Sequence, residues 1–130
     1  MNSGNGTQAT QGPIRVENAT LVVDESGRAS LIMSVFNNGS EVDSIVSATL
    51  GGLDAVIPAG PEGTTIPPGT FRAYGYGAEG QPPAGIVGVD GLSVPPSSYV
   101  DVTVNFERAG RLEMSVLTVP PVGIYEGLLG

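Results

Sequence analysis

Any chemistry in this chain falls to carboxylates, hydroxyls and phenols, because the sequence contains neither histidine nor cysteine. That composition excludes the usual nucleophile–base pairs and the imidazole or thiolate metal sites. The 13 acidic residues are scattered from Glu17 to Glu126. No two are set apart by a motif, and acids spread over a β domain ordinarily lie on solvated faces, so no catalytic residue is assigned and the chain is not expected to be an enzyme. Asp24, Glu25, Glu41 and Asp43 fall in turns that could converge on a hard cation. The spaced-ligand loop of a calcium site is missing, however, so they read as ordinary turn acids and neither metal ligand nor cofactor is assigned.

Tyr74 and Tyr76 stand two apart and so share one face of an extended segment, between Gly75 and Gly77. Two arrangements fit: rings left open for a protein or sugar contact, or rings packed under the glycine-rich stretch 77–85. The last segment, 120–130, is apolar without alternation. Its Ile124, Tyr125, Leu128 and Leu129 join Tyr74 and Tyr76 as candidate partner contacts.

Five basic residues, all arginine, leave a formal net charge of −8. Repulsion from phosphates argues against nucleic acid, and against docking on an anionic bilayer through side chains. No run approaches the roughly eighteen apolar residues of a membrane span. At 130 residues the chain is long enough for one domain with its own core. Without disulfides, that core must rest on apolar burial alone.

The elements that must carry these residues are strands. Residues 99–106 alternate Val100, Val102, Val104 and Phe106 against Tyr99, Asp101, Thr103 and Asn105, the period of a half-buried strand. A turn through Gly110 leads to Leu112, Met114 and Val116 in the same alternation, so the two runs predict an antiparallel hairpin on which the rest packs. Residues 14–23 alternate with a slip near Asn18 and Ala19 that predicts a bulge. Residues 29–36 are apolar at nearly every position, which predicts a central strand covered on both faces. Asn38-Gly39 predicts a tight hairpin turn with two positive-φ residues. Beyond it a strand over 42–50 would turn Ser44, Val46, Ala48 and Leu50 to one face. Two Pro-Pro segments, at 67–68 and 95–96, belong at sheet edges because proline cannot donate to a ladder. Short strands are also expected at 53–57, 71–76 and 86–89.

No window has helical periodicity. The sum is an all-β domain, a cupredoxin-like or immunoglobulin-like antiparallel β-sandwich of about seven to nine strands over 13–119. It would be preceded by a flexible polar tether, 1–12, and followed by the tail at 120–130.

Three stretches carry a family resemblance: Leu31-Ile32-Met33-Ser34-Val35-Phe36-Asn37-Asn38-Gly39-Ser40, Asp43-Ser44-Ile45-Val46-Ser47-Ala48, and Val102-Thr103-Val104-Asn105-Phe106-Glu107-Arg108-Ala109-Gly110. Across roughly 14–119 the pattern resembles the periplasmic copper chaperone PCu(A)C superfamily, and looks closer still to its LpqE-like branch of actinobacterial lipoproteins. The resemblance implies a cupredoxin-like sandwich outside the cytoplasmic membrane, held by an N-terminal lipid on a cysteine that this chain lacks, with Met1 near its place. It also implies copper ligands of the His and Met type in mid-domain, and 51–90 contains neither residue. Met33 and Met114 sit within predicted strands, where packing accounts for them. The expected role is therefore a non-catalytic lipoprotein domain acting as an interaction or accessory subunit of a membrane or envelope complex, a respiratory assembly among the candidates. The alternative is a copper-chaperone-like or small-ligand-binding module.

Overall fold

In a computed structural model the described residues are 7–58, 64–75, 87–95 and 97–119. Ten strands account for most of them: β1 (Thr7–Gln11), β2 (Ile14–Val23), β3 (Ala29–Asn37), β4 (Asp43–Leu50), β5 (Leu53–Asp54), β6 (Thr65–Ile66), β7 (Thr70–Tyr74), β8 (Val87–Val89), β9 (Tyr99–Phe106) and β10 (Gly110–Val119). They follow the order β5-β4-β9-β10-β2-β3-β7, curled so that two faces enclose one core. This is the expected all-β sandwich. The strands beyond nine are short pieces, since β5 and β6 are two residues each and β8 three.

The β9–β10 hairpin forms as its alternation dictates. Gly110 pairs with Phe106 and the register runs unbroken to Leu117 opposite Tyr99. Gly110 takes φ +90, the left-handed conformation that closes the turn and that side chains resist. Leu112, Met114 and Val116 enter the core opposite Val104, Val102 and Val100.

The second half of the sandwich is built on β2 and β3. Their ladder slips between Glu17 and Thr20, with Asn18 at φ +57, so the expected bulge is present. It shifts the inward set from Ile14 and Val16 to Ala19 and Leu21. As expected of a central strand, Ala29 through Met33 are buried at every position. One edge of β3 carries two strands in line. β7 pairs from Asn37 back to Met33, and β8 resumes the same antiparallel ladder from Leu31 to Ala29. The chain leaves the ladder at Gly75, beside Ile32, with φ +88.

The two halves meet twice. On one side the end of β10 pairs in parallel with β2, Thr118 with Leu21 and Val119 with Val22. On the other side Val56 and Gly88 exchange backbone bonds of 2.8 and 3.1 Å.

Three expectations are corrected. The polar leader is not wholly a tether, because Thr7–Gln11 forms β1 against β2; its Thr7 Oγ1 donates to Ser115 O at 2.7 Å and its Gln11 Nε2 to Ala109 O at 3.1 Å. Backbone pairing orders a segment whose side chains alone would not. The Asn38-Gly39 turn is not a hairpin, since β3 and β4 belong to opposite sheets, and neither residue has positive φ. Instead the buried Asn37 side chain organises the crossing. Its Nδ2 donates to Glu41 O and Ile66 O at 2.8 and 2.9 Å, and its Oδ1 accepts from Gly39 N at 2.9 Å. Lastly, β4 does not face as simple alternation requires. A register shift between Ile45 and Ser47 opposite β9 inserts one residue, so Ile45 joins Ala48 and Leu50 in the core and Val46 is 59 % exposed.

A Cβ at Gly75 would lie 2.7 Å from Ile32 Cγ1 and 3.0 Å from Ile32 Cα, the second being backbone that cannot step aside. Gly75→Ala should therefore lower stability in urea unfolding by about 2–4 kcal/mol, combining the positive-φ cost with overpacking.

Candidate functional site

The acids singled out by sequence resolve into two separate turns. Asp24 closes the β2–β3 connection: its Oδ1 accepts from Ser26 N, Ser26 Oγ and Arg28 N at 2.9, 2.7 and 3.0 Å. The Ser26 hydroxyl is the main cause holding the Asp24 carboxyl below its ordinary range, with the Arg28 and Ser26 amides and the Arg28 charge adding to it against desolvation. Asp43 lies at the start of β4 and is buried. Its Oδ1 accepts from Ser44 N and Arg108 N, both at 2.8 Å, and its Oδ2 from Ala109 N at 2.9 Å. It is thus the cap of the β9–β10 turn, and Glu107 N donating to Ser44 O at 2.9 Å completes the clamp. Glu41 pairs with Arg108 at 3.0 Å on the surface, where an ion pair adds little. Among the described residues no three acidic side chains come together as a metal site would require. The carboxylates whose bonds are shown work as turn acids.

Tyr74 is fully buried and belongs to the core cluster. It therefore offers no surface to a partner, and of the two arrangements open in sequence the packed one is found for this ring. The reason is register: Tyr74 pairs with Met33, an inward position of β3. Burial raises the phenol to about pKa 12, against a smaller lowering by the Arg72 charge. Tyr76, Ile124, Tyr125, Leu128 and Leu129 lie outside the described residues. Met33 and Met114 are both core residues.

Sequence reasoning did not single out the outer face of β2, β3 and β7. Thr20, Val22, Ser30, Ile32 and Ala73 point away from the core between the sheets, yet none is more than 6 % exposed. Farther along the same strands Phe36 and Phe71 stack at 5.1 Å and stay half-buried. The available signal was the apolar run of β3, which demanded cover on both faces. It named no cover.

No family model matches the sequence, and no curated protein matches it. Solved structures do. The apo PCuAC domain from PmoF1 aligns with a TM-score of 0.69 and 21 % identity over 88 % of this chain and 100 % of that one. The apo PCuAC domain of PmoF2 gives 0.65 and 19 % over 90 % of this chain and 98 % of that one. A copper-bound PCuAC domain from PmoF2 gives 0.61 and 20 % over 88 % and 99 %. The chain has the fold of PCuAC domains, as its strand pattern implied.

Two measurements check this assignment of roles. Asp43→Ala strips a buried acceptor from three amides and should cost about 2–4 kcal/mol in urea unfolding, with Asp43→Asn intermediate because one carbonyl can still accept. For Tyr74 the folded pKa stands above the unfolded value of 10.0. Its contribution to stability is therefore complete below about pH 10 and is lost as pH rises toward 12, by about 3 kcal/mol in all. Unfolding between pH 9 and about 12 should show this loss in the parent and a flatter profile in Tyr74→Phe.

Proposed function

We propose that this chain is a non-enzymatic, extracytoplasmic module of the copper-chaperone type, acting in an envelope where copper passes between proteins. The observation that carries the reading is the fold shared with the whole of a PCuAC domain, together with a relative of that fold solved with copper bound. An LpqE-like lipoprotein, anchored through a lipid on the outer face of the cytoplasmic membrane, is the finer form of the proposal, and its support is the sequence resemblance.

The donor set bears on how such a module works. A soft cation such as Cu(I) selects thiolate, thioether and imidazole ligands. This chain has no Cys and no His, and its two described methionines are core residues of β3 and β10. A His/Met site does not fit these residues. That observation favours a second reading, an accessory subunit that meets a membrane or envelope partner through its surface and holds no copper of its own.

Competition of the purified chain with a chromogenic Cu(I) chelator tests the first reading. One equivalent held tightly, and released by Met33→Leu or Met114→Leu, would establish a carrier that opens its core to the metal. Failure to compete would overturn carriage and leave the accessory role. The two substitutions conserve volume and should each cost less than about 1.5 kcal/mol, so a lost signal would not be lost folding.

A further inference from the structure

The outer face of β2, β3 and β7 is a second apolar surface, on the side of the sheet away from the core. Val22, Ile32 and Ala73 are buried there but are not part of the core cluster. Ser30 lies among them, and its Oγ is buried with no hydrogen-bond partner, so a dry layer covers it. All ten strands lie within the curled sheet, and none is layered on this face. The cover must come from chain outside the described residues.

We propose that the cover is the C-terminal segment, 120–130, lying across the face in cis. Three observations select it. The first is position: Val119, the last residue of β10, pairs with Val22, so the chain leaves the sheet beside a buried residue of this face. The second is chemistry. The segment supplies Val122, Ile124, Tyr125, Leu128 and Leu129 with Glu126 as its one charge, whereas 76–86 is mainly glycine, proline and alanine with Tyr76 and Ile86 as its large apolar residues. The third is reach. Extended chain spans about 3.3 Å per residue, and three adjacent strands are crossed in about 10 Å, so the segment is several times longer than the crossing needs. Its apolar side chains, candidates for a partner contact when read from sequence, thereby serve the domain itself, and a partner would gain this face only by displacing them.

The absence of cysteine gives a clean test, because Ser30→Cys places a single thiol on this face and replaces a hydroxyl that has no partner. In the full chain it should react slowly with 5,5′-dithiobis(2-nitrobenzoate). Combining it with Ile124→Asp, Leu128→Asp and Leu129→Asp should speed the reaction about tenfold or more, the expectation for local opening. A thiol placed between the sheets by Val104→Cys, at a fully buried position, should stay protected in the same background. An unchanged Ser30→Cys rate would overturn the proposal, the more so if Tyr76→Asp released that thiol instead. Equal release at both thiols would also overturn it, by showing that the segment holds the whole sandwich together and not this face.

Discussion

One strand belongs to both halves of the molecule, and the rest of the architecture depends on it. β10 is antiparallel to β9 along nearly its whole length and parallel to β2 only at Thr118 and Val119. A sandwich whose sheets touched only through side chains could slide. Here two backbone positions fix the stagger. Thr118 makes the junction specific. It is buried, its amide donates to Ser98 O at 2.8 Å, and its Oγ1 accepts from Ser98 N at 3.0 Å. A hydroxyl so placed ties the start of β9 to the end of β10, where the alternation of valines alone would leave the register free to slip by two.

Asp43 performs the matching task at the other end of the hairpin. Its carboxylate takes amides from Ser44, Arg108 and Ala109, so a strand of one register also sets the turn between the next two. Buried charge is costly unless every lone pair is engaged, and here the partners are main-chain donors that any sequence would provide. Identity at 107–109 is accordingly left open while geometry is not. With Asn37 on the opposite strand doing similar work for the β3–β4 crossing, both irregular junctions are held by short polar side chains at strand ends.

Those two residues also mark where the sequence stopped being legible. Periodicity exposed the hairpin, the bulge in β2 and the doubly covered β3, because each leaves its trace in neighbouring residues. It could not show that Asn37 reaches Ile66, 29 positions away, or that Asp43 reaches Arg108, 65 away. Asn-Gly was read as a local hairpin for that reason, and β4 lost its phase because a one-residue bulge at Val46 is indistinguishable from weak alternation. The candidate site was less legible than the fold. An isolated tyrosine carries no sign of which face it will take until its partner is known, and Met33 is what turns Tyr74 inward. The PCuAC fold was readable from strands and a turn, whereas a chaperone's chemistry is written in donor residues, and this chain has no His or Cys among its own.

The interrupted edge strand has a consequence for how the domain can change. β7 and β8 occupy successive positions on β3, at Met33–Asn37 and at Ala29–Leu31, as though one strand had been cut opposite Ile32 and a length of chain spliced into the gap. Each piece keeps its own ladder bonds, so the register of the sheet is indifferent to what is spliced. Closing a longer excursion costs only about 0.6 kcal/mol for each doubling of its length. The domain thus has a socket in which segments of different size and composition can be exchanged without disturbing the sandwich, and new specificity can be acquired there while the framework stays the same.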